Sequence, residues 1–199
     1  MISAIILSAG EGKRIGFNKA LLDWGGEPLI NYQIKSLNNE HISEIIVVIG
    51  SESEKVKKTI TQSGVKIIEN NDYLMGKTTS IKEGVSSIVN KDNDVLLIAV
   101  DQPRSIDLIK DVVNFHVSNP LKDKISMPFS EGHGGHPIIF SNSFVGDLSN
   151  ISEENFGIRE VITKNTNSII RFKTKDFSSN IDINTPEDYE LFNKRFFNI

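Results

Sequence analysis

Short apolar runs that alternate with helical segments dominate the first hundred residues, and they leave few folds open. Ala4 to Leu7, Glu44 to Ile49 (EIIVVI) and Asp94 to Val100 (DVLLIAV) are apolar without the alternation of a half-exposed strand. Each reads as a strand buried on both faces of a parallel sheet. Val65 to Ile68 is a further short strand. Between them, Pro28 suits the first position of a helix carrying Leu29, Ile30, Ile34 and Leu37. Ser53 to Gln62 is a polar surface helix, and Ile81, Val85 and Ile88 mark a third. A strand–helix alternation repeated in this way implies right-handed crossovers and a mostly parallel sheet. The expectation is a single Rossmann-like, three-layer α/β/α domain over residues 1–199.

The second half continues less regularly. Ser105 caps a helix through Ile109, Val112, Val113 and Phe115. Ile125 to Pro128, Ile138 to Phe140 and Ile169 to Phe172 read as strands, with a glycine and histidine turn from Gly132 to Pro137. Phe144 to Leu148 and Ile158 to Ile162 read as helices. Thr185-Pro186-Glu187-Asp188 combines a cap, a first-turn proline and first-turn acids, so a last helix runs to about Phe196.

Composition excludes several function classes. No apolar run approaches the roughly 18 residues of a membrane span. The start, MISAIILSAG, has no cationic stretch ahead of its short apolar run, so it reads as a strand, not a signal peptide, and a cytoplasmic location is expected. The absence of cysteine rules out disulfides, thiolate-bound metal and a thiol nucleophile. With a net charge of −4 and its cations scattered, the chain is not expected to bind nucleic acid.

One exception to that scatter is the loop leaving the first strand. It holds Gly10, Gly12 and Gly16 with Lys13, Arg14 and Lys19. Glycines let backbone N–H groups close on an anion, and Arg and Lys supply the charge, so the loop reads as a phosphate grip. In an open α/β sheet, ligands bind beyond the carboxyl ends of the strands. This loop, the Asn71 to Ser80 loop, Asp101 and Asp182 all fall at such ends and are expected to share one cleft. An Asp beside a phosphate loop is a natural Mg²⁺ ligand, because Mg²⁺ prefers carboxylate, water and substrate phosphate oxygens.

Three other motifs are weaker. Gly76-Lys77-Thr78 lacks the first glycine of a P-loop, since Asn71 stands there. Gly10-Glu11-Gly12 lacks the third glycine of a dinucleotide fingerprint, where Ile15 stands. His133 and His136, alone in a glycine turn, are a poor zinc set. A hydrogen bond to substrate suits His136 better.

Taken together, five stretches resemble the molybdenum cofactor nucleotidyltransferases, within the wider sugar-nucleotide-type group. They are Leu7 to Arg14 with Gly16 and Lys19; Gly76 to Ser80 with Gly84; Asp101-Gln102-Pro103; Gly135-His136-Pro137; and Asp182 to Asp188. Ala9 and the Gly-His-Pro turn are similar to the cytidylyl branch, whereas Asn184 departs from that branch's usual Asp.

The resemblance implies the nucleotidyltransferase fold and Mg²⁺-dependent transfer from an NTP, CTP favoured over GTP, to a molybdopterin-type or other phosphorylated acceptor. It names Arg14, Lys19 and Asp101 as catalytic and Asp101 and Asp182 as metal ligands. Ser8, Ala9, Gly10, Gly12, Thr79 and Ser80 fall at the nucleotide. Gln102, Pro103, Gly135, His136 and Pro137 fall on the acceptor side. A molybdoenzyme receiving the product is the implied partner. Two other readings stay open: a sugar-phosphate acceptor on the same fold, and a non-catalytic module that carries nucleotide or cofactor.

Overall fold

The computed structural model describes residues 1–198. Eight strands form one sheet: β1 (Ile2–Ser8), β2 (Ile42–Ile49), β3 (Val65–Glu69), β4 (Asp94–Ala99), β5 (Ile125–Ser130), β6 (His133–Gly134), β7 (Ile138–Phe140) and β8 (Ile169–Lys173). The order is β3-β2-β1-β4-β7-β5-β6, with β8 also pairing β5. β1 lies between β2 and β4, parallel to both, and β2 is parallel to β3. Only β7 and β6 run against their neighbours.

The continuous apolar runs explain the layering. Every residue of β1 is buried, and alternate residues serve opposite cores. Ala4 and Ile6 face α1 (Leu29–Ser36) and α4 (Ile106–Ser118), together with α2 (Ser53–Thr59) and the aromatic residues of α7 (Pro186–Phe197). Ile5 and Leu7 face α3 (Lys77–Ser86), α5 (Val145–Asn150) and α6 (Ile158–Lys164). Helices therefore cover both faces, giving the expected three layers. Full burial of one such aliphatic side chain contributes about 1.5–3 kcal/mol. Gly84 lets α3 sit close to the sheet, since a Cβ there would lie 2.6 Å from Ile5 Cγ2.

Several boundaries differ from expectation. Pro28 precedes the helix with extended backbone (φ −58°, ψ 137°) instead of opening it. α2 stops at Thr59 and not Gln62, because Ile60 turns to extended backbone and packs on the core. β4 ends at Ala99, although the Val100 N–H still donates to the Leu7 carbonyl at 2.9 Å. The Gly132 to Pro137 stretch is not all turn, for His133 and Gly134 pair with Ser130 and Phe129. The caps hold as read. Ser105 Oγ accepts from Leu108 N–H, and Thr185 with Asp188 forms a reciprocal box at the start of α7. Among the described residues, no helix is long and apolar enough to cross a membrane.

Candidate active site

The first loop folds back on itself before it reaches α1. Gly12 O accepts from the N–H groups of Ile15 and Gly16, at 3.1 and 2.9 Å. The turn depends on glycine at 12, where φ is +64° and a Cβ would lie 2.0 Å from Phe17 O. Asn18 then fixes the exit. Its Oδ1 caps the short 3₁₀ turn Lys19–Leu21 by accepting from Ala20 N–H, and its Nδ2 donates to Ser51 O at the end of β2. Lys19 is thereby aimed across the end of β1 at β4.

Asp101 is held from three directions. Gln33, fully buried on α1, donates to the carbonyls of Ala99 and Val100. Gln102 closes a turn with Ala99 through its N–H and its Oε1. The Asp101 carbonyl accepts from Ile183 N–H at 2.9 Å, which ties the C-terminal segment to this strand end.

With both elements so fixed, Lys19 Nζ lies 2.8 Å from Asp101 Oδ2. Asn184 joins them: its Oδ1 accepts from Arg14 Nη2 at 2.8 Å and from Lys19 Nζ at 3.3 Å. Asn184 is itself anchored, donating its N–H to Asp188 Oδ2. The hydrogen bond from Asn184 N–H, joined by those of Thr185, holds the carboxyl of the half-exposed Asp188 below the usual carboxylate range.

A cleft of about 320 Å³ opens over this group. Ala9, Gly10, Gly12, Arg14, Lys19 and Asp101 line one side, and Tyr73, Gly76, Lys77 and Ser80 face them. Ser8 lies buried beneath the cleft, its Oγ without a partner. Thr79 is turned away. Its hydroxyl donates to Gly76 O and accepts from Asn70, within its own loop. In the first turn of α3 the Thr78 N–H is taken by Glu153 Oε1 at 2.7 Å and not left for a phosphate, which speaks against a P-loop.

Asp182 does not share that cleft. It lies at a second one, of about 330 Å³, with Gln102, Gly135 and His136. The two clefts meet at the ridge where Asp101 and Ile183 are hydrogen-bonded. Pro103 and Pro137 are buried behind it. Burial, with the charges of Arg104 and Lys77, pushes the His136 imidazole down to about 3, so it is a neutral ring. His133 is exposed and its Nδ1 faces Glu131 O, so the two histidines form no chelate. No cluster of three His, Cys, Asp or Glu residues occurs among the described residues. A divalent ion carried by phosphate needs only one or two carboxylates. The Asp101 carboxylate, hydrogen-bonded among the described residues only through Oδ2, has the chemistry for that role.

Motif reading missed the part played by two residues here. The sequence marks Asn184 as a departure from an aspartate pattern and as an oxygen able to ligate Mg²⁺ in place of Asp182, but not as the shared acceptor of Arg14 and Lys19. Arg104 follows Asp101-Gln102-Pro103 and belongs to none of the motifs, yet it is 1% exposed.

Comparison with known proteins gives the family and the fold. A family model described as MobA-like NTP transferase domain matches residues 4–169. Molybdenum cofactor cytidylyltransferase of Escherichia coli (strain K12) is 26% identical over 198 residues, covering 98% of this chain and 97% of that protein. A nucleotidyl transferase from Methanothermobacter thermautotrophicus superposes with a TM-score of 0.82 at 20% identity, covering 100% of this chain and 98% of the other. Rv0371c of Mycobacterium tuberculosis, in a complex with manganese, gives 0.78 at 16% identity, covering 97% and 98%. The two structural likenesses carry the fold.

Proposed function

Given that the chain belongs to the MobA-like NTP transferase domain family and is a nucleotidyltransferase, we propose that it transfers CMP from CTP to the phosphate of a molybdopterin-type acceptor, releasing pyrophosphate. The choice of CTP and of acceptor leans on the likeness to the E. coli cytidylyltransferase over nearly the whole of both chains. The observation that carries the chemistry is the meeting of Lys19, Arg14, Asn184 and Asp101 at one end of the sheet.

In this reading the glycine loop receives the triphosphate. Gly10 and Gly12 bring backbone close to it, and Arg14 and Lys19 neutralise the β and γ phosphates. Ala9 and Ser80 bound the nucleoside side, with Ser8 beneath. Mg²⁺ would be held by Asp101, with the Asn184 amide oxygen as the neighbouring ligand in place of the Asp182 first expected there, and would supply charge neutralisation around the α-phosphate.

An oxygen of the acceptor phosphate attacks the α-phosphorus from the side of Gln102, Gly135 and His136. The new P–O bond forms as the bond to pyrophosphate breaks, and the electron pair leaves on the pyrophosphate that Lys19 and Arg14 hold. The attacking phosphate is already ionised near neutral pH, so no side chain must remove a proton. That suits a site whose His136 imidazole is held neutral by burial and by the charges of Arg104 and Lys77. Its work is positioning and electrostatic stabilisation.

A thermal-shift panel with CTP, GTP, ATP and UTP, each with Mg²⁺, tests the nucleotide half of this reading. CTP is expected to raise the melting temperature most, and selective stabilisation by another nucleotide would contradict the assignment.

A further inference from the structure

One lysine of the nucleotide cleft has no part in the chemistry above. Lys77 lines the cleft from the wall that faces Arg14, Lys19 and Asp101. Four cations line this cleft, and three of them are engaged. Lys13 Nζ lies 2.8 Å from Glu11 Oε2, Arg14 Nη2 donates to Asn184 Oδ1, and Lys19 Nζ donates to Asp101 Oδ2. The Lys77 ammonium, exposed, has neither a salt bridge nor a hydrogen bond among the described residues. Of the carboxylates on the elements around it, Asp101 pairs with Lys19, Glu153 accepts from Thr78 N–H, and the exposed Asp72 pairs with no cation.

The backbone of Lys77, by contrast, is pinned on both sides. Gly76 takes a φ of +119° and its carbonyl accepts from Thr79 Oγ1 at 2.8 Å. Glu153 packs so closely there that a Cβ on Gly76 would lie 2.5 Å from its carboxyl carbon. Thr78 is buried, with its N–H held at 2.7 Å. The lysine stem thus leaves a fixed point while its charge is left for a ligand. Lys77 also opens α3, where the positive end of the helix dipole disfavours a cation, and the first turn holds no acid to offset it. An anion in the cleft does offset it.

Three sides of the proposed reaction converge on this residue. Ser80, on the same helix, bounds the nucleoside, and Arg14 and Lys19 across the cleft hold the departing pyrophosphate. After burial and Arg104, it is the charge of Lys77 that lowers the His136 imidazole on the acceptor side. The group that nucleoside, pyrophosphate and acceptor have in common is the α-phosphate.

We infer that Lys77 is a further catalytic residue, its ammonium donating to a non-bridging oxygen of the α-phosphate from the wall facing Asp101. This role rests on the transfer reaction proposed above. As the bond from the acceptor oxygen forms and the bond to pyrophosphate breaks, negative charge is shared over the equatorial oxygens of the α-phosphorus. Lys77 stabilises that charge and exchanges no proton.

CMP carries the α-phosphate alone, and pyrophosphate carries only the departing end, so the two probes separate the positions. Calorimetric titrations with Mg²⁺ present are expected to show CMP binding about tenfold weaker in Lys77→Gln than in wild type, the loss of one charge-assisted hydrogen bond, with pyrophosphate binding unchanged. Lys77→Arg should recover most of the loss. Both variants should fold as wild type, since the side chain is exposed and bonds no protein atom among the described residues. Equal CMP binding by wild type and Lys77→Gln, or a loss of pyrophosphate binding as large as that of CMP, would overturn the assignment.

A kinetic arm tests the catalytic part. With a phosphorylated pterin acceptor, Lys77→Gln is expected to lower kcat about 10²-fold, and an unchanged kcat would contradict the role. If no acceptor supports turnover in wild type, or a monophosphate other than CMP binds more tightly, the proposed reaction fails. The same comparison, made with the monophosphate that binds best, then still decides whether Lys77 holds an α-phosphate.

Discussion

Lys19 Nζ and Asp101 Oδ2 are 2.8 Å apart, although 82 residues separate them in the chain. The contact closes the end of the sheet between β1 and β4, and both side chains are partly shielded from water, at 14% and 25% exposure. Asp101→Asn keeps an acceptor for Lys19 and removes the charge. Its melting temperature is therefore expected to stay within a few degrees of wild type, while pyrophosphate release falls by at least about 10²-fold, the scale of losing one electrostatic stabiliser. Near-normal turnover in this variant would remove Asp101 from the mechanism.

Gly12→Ala tests the loop rather than its charges. The added Cβ meets Phe17 O at 2.0 Å, with φ at +64°, so the turn must open. A residue forced into that conformation costs about 1–3 kcal/mol. Calorimetry should find CTP binding weakened at least tenfold, with the far-ultraviolet spectrum unchanged.

Asn184→Ala removes the acceptor shared by Arg14 and Lys19. Arg14 is exposed and has no other side-chain partner among the described residues, so it is expected to become mobile. The effect should fall on nucleotide affinity, raising the CTP KM by about tenfold, the equivalent of about 1.4 kcal/mol. Restoration by Asn184→Asp, which supplies an oxygen in the same place, would separate this anchoring role from a general loss of stability.

These cases show what the sequence could and could not reveal. The core strands were legible because β1, β2 and β4 are read by burial on both faces, which needs nothing but local apolar runs. The nucleotide cleft was legible because Gly12, Arg14 and Lys19 are close in sequence and Asp101 ends the most apolar strand. Asn184 and Arg104 were not, since their partners lie far off in the chain: 170 residues from Asn184 to Arg14 and 77 from Arg104 to Ile181. Asp182 was expected in the nucleotide cleft, and the ridge formed by Ile183 and Asp101 puts it on the other side. The short β6 pairing was missed because two residues in a glycine-rich stretch carry no strand pattern.

Stability should fall in acid in two stages. His136 is held neutral down to about pH 3, whereas an unfolded histidine takes up its proton near 6.5. Between those values the unfolded state binds more protons, so stability rises with pH at up to about 1.4 kcal/mol per unit. The second stage involves Asp94. Burial raises its pKa, but hydrogen bonds from His116 and the Asn142 N–H outweigh this and hold it below the ordinary carboxylate value of 3.8. That stability is present above the unfolded value and is lost as pH falls through the lowered one. Urea titrations from pH 7 to 3 should show both stages, and His136→Gln should flatten the upper one alone.

The most direct measurement is pyrophosphate release from CTP in the presence of a phosphorylated pterin acceptor, with and without Mg²⁺, for wild type, Asp101→Asn and Lys19→Ala. The account predicts metal-dependent release by wild type and its loss in both variants, each still folded. Release that survives in both variants, or that proceeds equally without the metal, would contradict it.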